Sequence, residues 1–143
     1  MMTSKILLVD DEVEFTSILA ERMETRGMNV DTAESGAEAI SKTESTFYDA
    51  IVLDMAMPEM DGITTLKELL KINPDLQIIF LTGKATLEKA VEAVKLGALD
   101  FLEKPVKLDN LIAKIEQAKT KKMALVAKRE EEKIKKILGK KGW

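Results

Sequence analysis

Residues 51–62 read IVLDMAMPEMDG. An apolar run, Ile51 to Leu53, stops abruptly on a carboxylate, Asp54, and a loop broken by Met, Pro and Gly follows. A run that is apolar at every position, rather than at every second one, marks a strand covered on both faces. The same event occurs near the N-terminus in KILLVDDE, residues 5–12, where Ile6 to Val9 ends on Asp10 and Asp11. A third continuous run, Ile78 to Leu81, ends on Thr82 and Gly83, and two weaker ones lie at Met28–Asp31 and Ala98–Leu102.

Helical spacing fills the gaps between these runs. Phe15, Ile18, Leu19 and Met23 precede Gly27, a C-terminal cap. Ser35 and Glu38 have the spacing of a capping box for a short helix through Ile40. Ile63, Leu66, Leu69 and Leu70 mark a third helix, stopped near Asn73-Pro74. Leu87, Ala90, Val91 and Val94 mark a fourth, ended by Gly97, and Leu108, Leu111, Ile112 and Ile115 begin a fifth with Asp109 in its first turn. Five strand–helix units with connections of this length favour parallel strands and right-handed crossovers. The expected result is an α/β doubly wound parallel sheet of strand order 2-1-3-4-5, with the poorest apolar run, strand 2, at an edge.

In such a sheet ligands sit beyond the carboxyl ends of the strands, near the switch point. Strand 1 brings Asp10 and Asp11 to that edge, strand 3 Asp54, strand 4 Thr82 and Gly83, and strand 5 is followed by Glu103-Lys104-Pro105. Each has an ordinary reading: Asp10 and Asp11 as helix caps, Thr82 as a cap of the fourth helix, Lys104 as a solvated lysine, Pro105 and Gly62 as turn punctuation. Their convergence on one edge argues for more. Three crowded carboxylates raise at least one pKa unless a cation binds. Carboxylates, a carbonyl and water suit Mg²⁺, with Mn²⁺ the alternative. A cation lets an anionic phosphoryl group approach, and Asp is a competent nucleophile toward phosphorus. Asp54, on the central strand, is the best candidate, with Lys104 and Thr82 to hold the transferred oxygens.

Composition narrows the chemistry. The 143 residues contain no Cys and no His, so thiol and imidazole chemistry is absent and softer metal sites are excluded. Residues 1–110 carry 11 Lys and Arg against 21 Asp and Glu, a balance of −10; residues 111–143 carry 11 against 4, or +7. An acidic body argues against broad nucleic-acid binding by that body. No apolar run approaches transmembrane length, and KILLV is too short for a signal peptide, so a cytoplasmic protein without membrane attachment is expected.

The segments LLVDDE, VLDMAMPEMDG, IIFLTG and GALDFLEKP, in this order and spacing, resemble the receiver domain of bacterial two-component response regulators over about residues 4–120. The resemblance implies a (βα)5 flavodoxin-like fold. It implies that Asp54 is the phosphoacceptor, taking a phosphoryl group from the phosphohistidine of a sensor histidine kinase. Asp11, Asp54 and the backbone carbonyl of Ala56 would ligate Mg²⁺, with Asp10 acting through a metal-bound water. Thr82 and Phe101 would form a switch, Lys104 would pair with the phosphoryl oxygens, and Lys104-Pro105 would be a cis peptide. Ala56, Gly83 and Lys84 occupy positions that tune the acyl phosphate, Gly83 being small enough to leave room for it. Pro58 and Gly62 would keep the carboxylate reachable. The face formed by the fourth helix, fifth strand and fifth helix would then change its partners, often by homodimerising. Such a protein catalyses its own phosphotransfer and dephosphorylation and is not a conventional turnover enzyme.

Other functions fit less well. A flavin module wants stacking aromatics, yet the chain has one Tyr, Tyr48, and one Trp, Trp143. GKAT at residues 83–86 lacks the glycine pattern of a phosphate loop. A phosphorylation-independent interaction module, or a small Mg²⁺-dependent phosphohydrolase, are the remaining alternatives.

The expected division is a receiver at 1–120 and a basic helical extension at 121–143. Residues 119–138 are rich in good helix formers, with Met123, Val126, Ile134 and Ile137 as an apolar stripe, until Gly139 and Gly142. A heptad from Met123 puts Glu130 and Lys133 in the seam, which weakens the case for a coiled coil. A linker toward a downstream output domain or partner, or a dimerisation helix, is the favoured reading over a basic end that touches nucleic acid. Residues after 120 leave no room for a winged-helix output domain, so direct DNA binding by this chain is not expected.

Overall fold

The computed structural model describes residues 3–140. Five strand–helix units follow one another: β1 (Lys5–Val9), α1 (Val13–Thr25), β2 (Asn29–Ala33), α2 (Gly36–Ser45), β3 (Ala50–Asp54), α3 (Gly62–Ile72), β4 (Ile78–Thr82), α4 (Leu87–Lys95), β5 (Asp100–Glu103) and α5 (Leu108–Lys140). A single 3₁₀ turn, Lys84–Thr86, joins β4 to α4. The strands form one parallel sheet in the order β2-β1-β3-β4-β5, the order expected of a five-stranded doubly wound sheet.

The continuous apolar runs now have their explanation. Successive strand side chains point to opposite faces, so a strand buried on both faces must be apolar throughout. Leu7, Val9, Ile51, Leu53, Ile78 and Phe80 pack on one side with Ala39 of α2, Leu66 and Leu69 of α3, and Ala90 and Ala93 of α4. Ile6, Leu8, Ala50, Val52, Ile79 and Leu81 pack on the other with Leu19, Ala20 and Met23 of α1 and Leu111, Ile115 and Ala118 of α5. β2, at the edge, buries only Ala33 fully.

Several local expectations need adjustment. Ile18 is 55% exposed, and the buried face of α1 is Thr16, Leu19, Ala20 and Met23. Val91 likewise faces outward, while the small Ala90 and Ala93 make the α4 contact. The helix started at Ser35 runs beyond Ile40 to Ser45, and only half of its capping box closes. The Ser35 hydroxyl accepts the Glu38 N–H, but the Glu38 carboxylate turns to the N–H of Glu34. Gly27 (φ +88°) and Gly97 (φ +123°) both adopt the left-handed conformation that ends α1 and α4.

α5 continues past the sheet as one helix of 33 residues, about 50 Å long. Gly139 lies inside it and does not end it, because a glycine weakens a helix without forbidding it. Gly142 and Trp143 lie outside the described residues. The stripe Met123, Val126, Ile134 and Ile137 is exposed. Two cations tie the first part of the extension to the body. The Lys122 ammonium is buried, donates to the Tyr48 carbonyl at 2.6 Å and lies 3.9 Å from the centre of the Phe47 ring. Burial pulls its pKa down, against the opposing pull of Asp49 and Asp75. Farther along, Arg129 pairs with the largely buried Asp75 carboxylate at 2.9 Å. A chain ending at Thr120 loses both contacts and strands the Asp75 charge. It should be less stable by about 1–3 kcal/mol, read from urea denaturation; an unchanged midpoint would show that the two contacts contribute nothing.

Candidate functional site

Strand register explains why the polar groups meet. Val9 of β1 is level with Leu53 of β3, so the next residues, Asp10 and Asp54, leave the sheet side by side. Asp54 is level with Leu81 of β4, so Thr82 projects one residue further along. Thr82 is level with Glu103 of β5, and Lys104 follows, its N–H donating to the Thr82 carbonyl at 2.8 Å. Asp10 and Lys104 are 94 residues apart in the chain, yet they are neighbours here.

The carboxylates of Asp10, Asp11 and Asp54 each offer an oxygen within 4.8 Å of the others. Asp10 and Asp54 are buried and Asp11 is exposed. The Lys104 ammonium bridges the two buried acids, at 3.2 Å from Asp54 and 3.4 Å from Asp10. Burial pushes the Asp54 carboxyl above its ordinary pKa, aided by the charge of Asp11, against the pull of Lys104 and the Ala56 N–H. Asp10 is raised for the same first reason, aided by Asp54, although the Glu12 N–H and Lys104 oppose it. Desolvation therefore outweighs like-charge crowding, the cause expected from spacing. Burial pulls Lys104 down, but Asp54 and Asp10 together outweigh it and raise its pKa.

The N-cap residue of α1 is Glu12, whose side chain makes no capping bond; Asp10 instead accepts the Glu12 N–H at 3.0 Å. Thr82 does not cap α4. Its hydroxyl lies 2.6 Å from that of Thr86 and donates to the Gly83 carbonyl at 3.0 Å. Lys104 is not a freely solvated side chain, and its peptide bond to Pro105 is cis. Phe101 is half-buried, level with Phe80 in the sheet and packed against the α2–α3–α4 side of the core. Ala56 and Lys84 are exposed.

Gly62 is not turn punctuation in the loop after Asp54. The left-handed residue in it is Glu59 (φ 69°), not a glycine. Gly62 is the first residue of α3, capped by the Asp61 carboxylate, which accepts the Thr64 N–H. A side chain at Gly62 would meet Met55 Sδ and Phe80 Cε1 at 2.8 Å. Its role is close approach of α3 to the strand end. Gly83 differs, because a Cβ there would meet nothing within 4 Å.

The donor set fits a hard divalent cation. It is all oxygen, carries three carboxylates, and contains no nitrogen or sulfur ligand that would favour a softer metal. One further residue escaped functional notice in the sequence. Phe15, legible there only as part of a helix stripe, lies with its ring centre 5.0 Å from the Lys104 ammonium.

A five-stranded parallel sheet with an acidic pocket at its carboxyl edge and a lysine bridging two acids is suited to hold a divalent cation and a phosphoryl group. Comparison with known proteins agrees. The sequence pattern of the family described as response regulator receiver domain matches residues 6–116, and the chain belongs to that family. It is 42% identical over 113 residues to the transcriptional regulatory protein ZraR of Escherichia coli K12, covering 79% of this chain and 26% of ZraR. A receiver domain protein from Clostridium thermocellum superposes with a TM-score of 0.82 at 36% identity, covering 85% of this chain and 98% of that one. NtrX from Brucella abortus gives a TM-score of 0.82 at 32% identity, over 93% of this chain and 30% of NtrX. The chain thus spans about a quarter of the length of ZraR. Asp10, Asp11 and Asp54 form the carboxylate cluster typical of the Mg²⁺ and phosphoacceptor pocket of receiver domains.

Proposed function

We propose that the chain receives a phosphoryl group on Asp54 from the phosphohistidine of a sensor histidine kinase. The carrying observation is the Lys104 ammonium held between the Asp54 and Asp10 carboxylates, beside Asp11. An Asp54 oxygen attacks phosphorus, the phosphorus–nitrogen bond breaks, and the imidazole leaves with the electron pair and takes up a proton. The divalent cation, when bound, offsets negative charge on the attacking carboxylate and the transferred group. Asp11, Asp54 and the Ala56 carbonyl are its proposed ligands, and Asp10 acts through water. Lys104 pairs with the transferred oxygens. Gly83 leaves space beside them, and Ala56 and Lys84 set how exposed the acyl phosphate is to water.

Thr82 and Phe101 are proposed as the switch. Supporting this, the Thr82 hydroxyl is held by a single short contact to Thr86 and by Gly83, bonds that a phosphoryl oxygen can replace. Phe101, on the next strand, is only half-buried, so its ring is not locked wholly inside the core. The surface of α4, β5 and α5 then changes its partner, by homodimerisation or by contact with an output domain or protein. Residues 1–120 are proposed as the receiver and 121–143 as a linker or dimerisation helix, supported by the exposed apolar stripe of α5. Among the described residues no helix is long and apolar enough to cross a membrane.

Intact-mass measurement after incubation with acetyl phosphate tests the core of this reading. One phosphoryl adduct per chain, dependent on Mg²⁺, is expected; turnover of small phosphate esters without an adduct would overturn it. Size-exclusion of the same samples reads the dimer. For the metal site, Asp11→Ala should lower Mg²⁺ affinity about tenfold or more, measured by titration calorimetry. Unchanged affinity would place the ion elsewhere.

A further inference from the structure

Lys104 has a third neighbour besides its two carboxylates. α1 starts directly after the acidic pair, and its first turn is pinned. Asp10 accepts the Glu12 N–H, and the Thr16 hydroxyl donates to the Glu12 carbonyl at 3.0 Å. This brings Phe15, half-buried against the α1–α5 side of the core, next to the lysine, with the ammonium 5.0 Å from the ring centre. The Lys104 side chain is 27% exposed, so its charge is partly desolvated, and a ring face attracts a desolvated cation more strongly than a hydrated one.

We propose that Phe15 is a positioning residue for phosphoryl transfer, its ring holding the Lys104 ammonium at the mouth of the acidic pocket. This rests on the phosphoacceptor reading above. Phosphorylating Asp54 exchanges one carboxylate partner of the lysine for the phosphoryl oxygens, so its ionic contacts differ between the two states. The ring does not change with phosphorylation and keeps the ammonium in place before and after transfer. It also restricts a long, flexible side chain that would otherwise lose rotamer freedom at each encounter.

The test uses the full chain with Phe15→Leu, which preserves an apolar contact with the core, and Phe15→Trp, which preserves a ring. In the metal-free proteins, the Lys104 Hε resonance should show an upfield ring-current displacement in wild type, lose it in Phe15→Leu and keep it in Phe15→Trp. With acetyl phosphate and Mg²⁺, adduct formation should slow about three- to tenfold in Phe15→Leu and recover in Phe15→Trp. In a Lys104→Met background, Phe15→Leu should add no further slowing. A wild-type Lys104 resonance in Phe15→Leu with an unchanged rate overturns the proposal. So does slowing that Trp fails to rescue or that persists in the Lys104→Met background, since that would be a packing effect. A wild-type chain that takes no adduct counts against the phosphoacceptor reading. The positioning proposal then falls with it, while the resonance still reports whether the contact exists.

Discussion

Asp54→Asn will take up no phosphoryl group from acetyl phosphate at any Mg²⁺ concentration, and without metal it will unfold at higher urea than wild type. The first result follows from chemistry, since a carboxamide lacks the anionic oxygen that attacks phosphorus. The second follows from burial. Asp54 is nearly inaccessible, and its pKa is raised by desolvation despite Lys104 at 3.2 Å. A carboxyl group whose folded pKa lies above its unfolded value favours the fold below the unfolded pKa, and that contribution is lost as pH rises through the folded one. The advantage of the Asn variant should therefore grow as pH rises from the ordinary carboxyl value of 3.8. Mg²⁺ stabilises whichever protein binds it better, so adding metal should narrow or reverse the gap. Urea midpoints with chelator and with Mg²⁺, across pH, measure this. An adduct on the mutant would move the acceptor elsewhere. A metal-free mutant weaker than wild type would mean that the Lys104 attraction outweighs desolvation.

Gly62→Ala should cost about 1–3 kcal/mol, a typical penalty for overpacking a close contact. The added methyl would lie 2.8 Å from both Met55 Sδ and Phe80 Cε1 and 3.2 Å from the Met55 Cα. Both side chains are fully buried, so neither can swing into solvent. Met55 directly follows Asp54, and its N–H is bonded to the Leu81 carbonyl at 2.9 Å. Displacing it shifts the acceptor, so phosphoryl uptake should slow as stability falls. Gly83→Ala is the contrast: with open space around the new methyl, stability should stay within about 0.5 kcal/mol of wild type. Equal stability losses at both positions would remove the packing explanation.

Much of the fold was legible because its signals are local. Ile51–Leu53 and Ile78–Leu81 are apolar at every position, which only a doubly covered strand requires, and Gly27 and Gly97 sit where helices must end. Ile18 and Val91 misled because helical spacing marks a stripe but not how wide the covered part is; small alanines let the helices sit close, and the flanking residues face water. Gly62 looked like turn punctuation because its neighbours in three dimensions, Met55 and Phe80, are not visible from its neighbours in sequence.

Residue order alone was enough to place Asp10, Asp11, Asp54, Thr82 and Lys104 at one edge of a parallel sheet, because a strand's end is set by where its apolar run stops. The tertiary structure decided what those groups experience there. Burial, rather than crowding, raises the pKa of Asp10 and Asp54. Lys104 bridges both acids beneath the Phe15 ring, and Lys122 fastens the long helix to the loop before β3. Desolvation and side-chain contact depend on every segment that surrounds a group, and these segments come from distant parts of the chain.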